Sequence, residues 1–379
     1  MPIRVAVNST SLLSPLTGIG QYTYHLCKQL LEHPDIESDF FYGMSWDRKL
    51  RECPVQGIVR SKEIIKQWVP GSYKLKDWLQ KRAFSRGQGA YDFDLYHEPN
   101  YLPLSYKHKL VLTVHDVSFI RYPEAHPIER IRALERFPEA VEKADAIITD
   151  SHFTARELMD CLPVDSAKVV PIHLGVTSAY HPRPEQEVLP CLQRYGLDYQ
   201  GYILVVGTLE PRKNLKLVLD AYRSMPIKIQ QQYPLAVIGM KGWGTDQIDK
   251  DMEVLIRSGD LRLLGYVPTE DMPLLYAAAK LFVYPSMYEG FGLPPLEAMA
   301  SGVPVITSNC ASLPEVVGQA GVQVDALDVD GLREVVCNVL ENRAQANTMI
   351  GKGILQAESF TWEKCAAETV DVYKRVLGH

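Results

Sequence analysis

No stretch of these 379 residues is apolar for long enough to cross a bilayer, and no Cys-x-x-Cys pair occurs in them. The seven cysteines, at 27, 53, 161, 191, 310, 337 and 365, are scattered and odd in number. That pattern argues against a disulfide framework and a zinc finger, and fits reduced core residues of a cytoplasmic protein. A dominant charge is missing too: 40 Lys+Arg against 46 Asp+Glu leave a net −6, so nucleic acid is not an expected partner. No internal repeat and no low-complexity segment interrupts the chain. The opening "MPIRVAVNST" reads as a strand and lacks the charged-then-apolar order of a secretion signal.

What is present is a long series of short, fully apolar runs separated by helical patterns. "IRVAVN", "KLVLTVHD", "AIITDS" and "KVVPIHLG" fall in the first half; "YILVVGT", "LAVIGM", "LRLLGYV", "LFVYPS" and "VPVITSN" fall in the second. Strands without polar alternation, each followed by a helix, predict parallel sheets covered on both faces. With a length that favours two cores, the expected fold is α/β: two Rossmann-like, doubly wound parallel-sheet domains facing across a cleft. The expected domains are residues 1–178 and 190–358, joined by the proline-rich 177–190 "TSAYHPRPEQEVLP" as linker. The last 359–379 predict a helix with Trp362, Cys365, Val370 and Tyr373 on one face. It either closes the second domain or crosses back to the first; the pattern leaves both open.

Ligands of such sheets bind at the carboxyl ends of the strands, which is where the chemistry-bearing residues fall. In "EGFGLPPLEAMASGVPVITSN" a helix should start near Pro294, since proline suits a first turn. Its free amides around Gly292 and Leu293 favour an anion, and Gly290 and Gly292 let a ligand approach the backbone. Glu289 precedes this turn, Phe291 lies within it, and Glu297 is expected in the first helical turn. "VVGTLEPRKNLKL" places Gly207 after a strand and Arg212 and Lys213 at the following turn, before a helix beginning near Asn214 or Leu215. A guanidinium fork and a mobile ammonium opposite a helix start could clamp a diphosphate. The first half offers Gly18 and Gly20 in a turn after the first strand, His115-Asp116 at a strand end, and His97, Glu98 and Asn100 at another. The acidic pairs 92–94 and 328–330 lie before a strand and at a helix start, away from the clamp. No metal site is expected.

The segments "GTLEPRKN", "PSMYEGFGLPPLEAMASGVPVITSN" and "LPEVVG" resemble the second domain of glycosyltransferase family four, retaining enzymes of the GT-B fold that use nucleotide-activated sugars. The resemblance extends over nearly the whole chain. It implies Glu289 on the donor sugar's hydroxyls, Glu297 on the ribose, and Arg212 and Lys213 on the diphosphate. It implies a glycine-rich loop at Gly18 and Gly20 beside the reaction centre, and His115 near the anomeric carbon. Many members carry Gly-Arg after the strand, whereas Gly207 is followed by Thr208 here. The implied catalytic set is therefore Glu289, His115, Arg212 and Lys213. The donor set is Gly18, Gly20, Gly207, Arg212, Lys213, Glu289, Gly290, Phe291, Gly292, Leu293 and Glu297. No cofactor is implied, the nucleotide sugar being a substrate and the reaction metal-independent. The variant motifs look most like bacterial members that build O-antigen or other surface polysaccharide. From these follow the expectations of GDP-mannose or a related GDP-sugar as donor and of a glycan on polyprenyl diphosphate as acceptor. A UDP-sugar transferase, a sugar-nucleotide epimerase and a non-catalytic sugar-nucleotide-binding subunit are the alternatives.

Residues 58–90 hold eight Lys/Arg against Glu63 and Asp77, with Trp68, Tyr73, Trp78 and Phe84 interleaved. Aromatics among cations suit an anionic membrane surface, so a cytoplasmic protein held peripherally on the inner membrane is expected. A solvated helix pair whose aromatics fill the first core is the competing reading.

Overall fold

The computed structural model describes residues 2–14, 18–51, 72–90, 92–240, 242 and 246–379. Residues 58–71 of the basic–aromatic segment lie outside the described residues, as do the side chains of 72–77 and 88–90. The chain divides into two units: Met1–Leu174 with Trp362–His379, and Gly175–Thr361.

In the first unit the strands β1 (Ile3–Asn8), β2 (Ile36–Phe41), β3 (Trp46–Asp47), β4 (Leu95–Glu98), β5 (Lys109–Val114), β6 (Ala146–Thr149) and β7 (Val169–Pro171) form one sheet. Their order is β3-β2-β1-β4-β5-β6-β7. Every pairing is parallel except the short β2–β3 edge. Val5, Ala6 and Val7, and Leu110, Val111 and Leu112, are fully buried, as continuous apolar strands between two helical layers must be. The closing helix Trp362–Leu377 belongs to this unit and packs on the helix Gly18–Glu32. Trp362, Cys365, Val370 and Tyr373 all turn inward, Trp362 stacking on His25 at 4.9 Å.

The second unit holds β8 (Ile203–Val206), β9 (Leu235–Ile238), β10 (Leu261–Gly265), β11 (Leu281–Tyr284), β12 (Val305–Ser308) and β13 (Val322–Val324), all parallel, in the order β10-β9-β8-β11-β12-β13. Leu215, Val218, Leu219 and Tyr222 form the buried stripe of the helix Leu215–Arg223 that follows β8. In both sheets the order reverses beside the first strand, between β1 and β4 and between β8 and β11. That is where open α/β sheets leave a crevice.

The expected linker 177–190 is only half irregular. Glu185–Tyr195 is a helix with Pro190 inside it, burying Val188, Cys191 and Leu192. The three-residue and four-residue spacing of those apolar positions outweighs one proline. No helix among the described residues is long and apolar enough to cross a membrane.

Candidate active site

The reversal between β8 and β11 brings two loops together. After β8 the chain passes Gly207 and makes a short 3-10 turn over Pro211–Lys213, then enters the helix at Leu215 through Asn214, which is left-handed with φ 58°. The Asn214 amide donates to the Pro285 carbonyl at 3.0 Å and to that of Ala326 at 2.7 Å. Met287 N donates to the Arg212 carbonyl at 2.8 Å, and Ser286 Oγ lies 3.0 Å from it. The cation-bearing loop and the glutamate-bearing loop are thus stitched into one rigid floor. Gly239 makes room beneath it: a Cβ there would stand 1.9 Å from the Gly207 carbonyl oxygen.

Four charged side chains meet on that floor. Lys213 Nζ donates to Glu289 Oε1 at 2.6 Å and to Tyr284 Oη at 2.7 Å. Glu289 Oε1 also accepts from Ser286 Oγ at 2.6 Å and Tyr284 Oη at 2.9 Å. Arg212 Nη1 donates to the Tyr288 carbonyl at 3.0 Å and to Glu289 Oε2 at 3.3 Å. The other edge of the guanidinium faces Glu210, with Nε to Oε2 at 3.1 Å. Burial works against charge on Glu289, yet Lys213 and Arg212 hold its carboxyl down at about 2. Burial lowers the Lys213 pKa, and repulsion from Arg212 adds to this against the pull of Glu289. Two cations here face two carboxylates, so the cluster carries no net charge until an anion enters.

Beyond Glu289 the chain runs Gly290-Phe291-Gly292 into the helix Leu293–Ala300, with Pro294 and Pro295 in its first turn. Gly292 has φ +116°, a conformation open to glycine, and a Cβ there would come within 2.9 Å of Leu313. Ser312 Oγ donates to the Phe291 carbonyl at 2.6 Å, lies 2.9 Å from that of Glu289, and so fixes the loop. Glu297 is the fifth residue of the helix, one residue deeper than expected and just past its first turn, because the helix opens at Leu293. Burial raises its carboxyl to about 7, against the phenols of Tyr276 and Tyr180 beside it.

The first unit is organised around His115, just past β5. Its Nδ1 lies 2.7 Å from Asp150 Oδ2 and its Nε2 2.8 Å from the Pro99 carbonyl. His97, expected to face a ligand, is instead enclosed: Nδ1 meets Tyr373 Oη at 2.6 Å and Nε2 meets Thr113 Oγ1 at 2.7 Å. Burial, helped by the charge on His115, lowers it to about 3, so it serves the closing helix as a neutral ring. Glu98 accepts from Asn8 Nδ2 at 2.7 Å across the β1–β4 reversal, from Tyr96 Oη at 2.5 Å and from Asn100 N at 3.1 Å. Gly18 and Gly20, expected in a turn, lie within the opening turn of the helix Gly18–Glu32. Of the two acidic pairs, Asp328 caps a helix through Gly331 N and Asp330 pairs with Arg333, while Asp92 and Asp94 both bind Arg4.

The structure therefore joins Arg212, Lys213 and Glu289 at one point, with Gly207, Gly290, Phe291, Gly292 and Leu293 on the adjoining backbone. Sequence reasoning missed Glu210, Tyr284, Ser286, Ser312 and Asp150. Asp150 and Ser286 could have been found, since each closely follows a strand's carboxyl end.

Comparison with known proteins identifies the chain's relatives. Residues 16–180 match the family model "Glycosyltransferase Family 4", and residues 195–356 match "Glycosyl transferases group 1". The chain is 39% identical over 378 residues to O-antigen chain mannosyltransferase B of Escherichia coli, covering 95% of this chain and 96% of that protein. It is 25% identical to the MMP alpha-(1->4)-mannosyltransferase of Mycolicibacterium hassiacum over 99% of both chains. Among solved structures, sucrose-phosphate synthase from Thermosynechococcus elongatus superposes with a TM-score of 0.76 over 99% of each chain at 20% identity.

Proposed function

We infer the function from the family: the chain belongs to glycosyltransferase family 4 and has the GT-B fold, a hexosyltransferase with a nucleotide-sugar donor and a glycan acceptor. From that premise we propose that it is a retaining mannosyltransferase that moves mannose from GDP-mannose onto a growing surface polysaccharide held on a polyprenyl diphosphate. The Arg212–Lys213–Glu289 cluster at the β8–β11 reversal carries this reading. The identity to an O-antigen mannosyltransferase supports the choice of sugar.

In this reading the donor diphosphate lies on Arg212, Lys213 and the amides at Gly292 and Leu293, where two charges and a helix start stabilise the departing anion. Glu297 takes the ribose hydroxyls. Glu289, ionised at any working pH, orients the sugar and offsets positive charge as the C1–O bond loosens. Within the first unit, His115, fixed by Asp150, is assigned to the sugar and Asn100 to the acceptor, while the buried Glu98 holds that loop through Asn100 N. The scheme routes no step through a metal, so EDTA should leave turnover intact.

The deciding experiment is transfer from radiolabelled GDP-mannose, UDP-glucose and UDP-N-acetylglucosamine to lipid-linked acceptor, with donor-only controls. Transfer from GDP-mannose alone supports the proposal. Transfer from a UDP-sugar alone replaces the donor, and a new sugar nucleotide formed without acceptor replaces the reaction.

Peripheral attachment to an anionic membrane through residues 58–90 completes the proposal. Among the described side chains of that segment Trp78 is exposed with Arg82 over its ring, whereas Phe84 is core. Flotation with anionic liposomes should be salt-sensitive and should fall when Lys74, Lys76, Lys81 and Arg82 become glutamate. No flotation at low salt would end the membrane claim.

A further inference from the structure

Glu210 is buried, at 5% exposure, in a loop whose other charged members already have roles in donor binding. Its carboxylate touches Arg212 along the Nε edge, with Nε at 3.1 Å from Oε2 and Nη2 at 3.5 Å from Oε1. Glu289 approaches the same guanidinium from the Nη1 side and alone bridges it to Lys213. The two carboxylates are therefore not equivalent. An entering diphosphate must engage both cations, and the anion shared by both is Glu289. Glu210 reaches only Arg212, from the far edge, and can remain bound while Glu289 gives way.

A guanidinium is planar and sits at the end of a flexible stem. Binding one edge fixes the plane and aims the opposite edge, so less rotamer freedom is lost when phosphate arrives. We infer that Glu210 is a positioning residue: it holds the Arg212 guanidinium turned toward Glu289, so that the donor's phosphate oxygens meet a preset fork as they displace the Glu289 carboxylate. This rests on the reading of Arg212 as a diphosphate ligand. A carboxylate beside a phosphate site repels the ligand by its charge alone; here its placement on the Nε edge outweighs that repulsion.

The test measures binding of GDP and of guanosine to the full chain by calorimetry, with UDP and ADP run beside them. Glu210→Ala should weaken GDP about tenfold, as loss of one aimed charge-assisted contact does, and leave guanosine within about twofold. In turnover assays it should raise the donor KM more than it lowers kcat. The variant Glu210→Ala/Arg212→Ala should be no weaker for GDP than Arg212→Ala alone, because Glu210 acts only through Arg212. Glu210→Gln, which keeps an acceptor for Nε, should recover part of the loss and serves if the alanine variant does not fold. Tighter GDP binding in Glu210→Gln than in wild type, or losses that multiply in the double variant, would overturn the inference. A wild type that binds no nucleoside diphosphate better than its nucleoside would overturn the donor reading itself, and this inference with it.

Discussion

Asp150 and His115 share one proton. Pro99's carbonyl can only accept, so His115 Nε2 donates to it, and one further proton lies between Nδ1 and Asp150 Oδ2. Burial opposes an imidazolium, but Asp150 raises the His115 pKa above 6.5; burial likewise raises Asp150 against the pull of His115. A neutral imidazole beside an ionised Asp150 would forfeit one of the two bonds.

Asp150→Asn replaces the carboxylate by a neutral amide, so the ring loses the charge that stabilises its second proton. Breaking a buried pair from one side costs about 3–5 kcal/mol, which in a unit of this size lowers Tm by roughly 10 °C. Because the His115 pKa is raised, the pair's contribution is full below pH 6.5 and is lost as pH rises through the raised value. Wild-type Tm should decline above neutral pH, and the variant should start lower and decline less. Parallel melting profiles would show that the pair does not hold the shared proton.

Glu98 offers a second, opposite-charge test of burial. Burial drives its carboxyl from 4.5 up to about 8, more than the bonds from Asn8, Tyr96 and Asn100 draw it down. A raised acid favours the fold below pH 4.5 and loses that contribution as pH climbs through about 8. Glu98→Gln should therefore gain on wild type between pH 5 and pH 9, by about 1.4 kcal/mol for every tenfold fall in proton activity while the fold keeps a proton that the unfolded chain has lost. Thermal unfolding across that range decides it, and a gap that does not widen with pH would refute the assignment.

Most of the sheet was legible because parallel strands buried on both faces have to be continuously apolar. All nine apolar runs noted in the sequence contain strands, from Ile3–Asn8 to Val305–Ser308. Ile36–Phe41, "IESDFF", was not legible: Glu37 is exposed and Asp39 is buried against Arg48, so polar residues interrupt the run. Arg212, Lys213 and Glu289 could be read because their loops carry glycine and proline, which mark strand-to-helix turns. Tyr284 and Ser312 could not, since a hydroxyl that orients Glu289 or its loop looks the same in sequence as one that fills space. Glu210 escaped for a different reason: its partner sits two residues away, and only the turn over Pro211–Lys213 folds the guanidinium back onto it.

Lys213 separates the diphosphate from the nucleoside. Its amino group is enclosed by Glu289 and Tyr284, and burial lowers its pKa against the pull of Glu289. Lys213→Ala should weaken GDP and GDP-mannose by about 10–100-fold while guanosine binding is unchanged, since a nucleoside has nothing for the ammonium to hold. Calorimetry with the three ligands measures the contrast. Equal losses for all three would mean that Lys213 supports the fold of the loop and does not touch the donor.

Glu289→Gln should lower turnover and strengthen product binding at once. The carboxylate is 7% exposed and pairs with both Arg212 and Lys213. A diphosphate must compete with it for those cations, and a glutamine of the same shape competes without charge. GDP should then bind about 3–10-fold more tightly, the range expected for removing a like charge from a partly solvated anion site. The chemical step should suffer, because charge opposite C1 matters most as the sugar turns oxocarbenium-like. One such contact is worth about 10²-fold in kcat. A variant with near-normal kcat would remove Glu289 from the sugar, and weaker GDP binding would show that the carboxylate and the diphosphate do not exchange on one pair of cations.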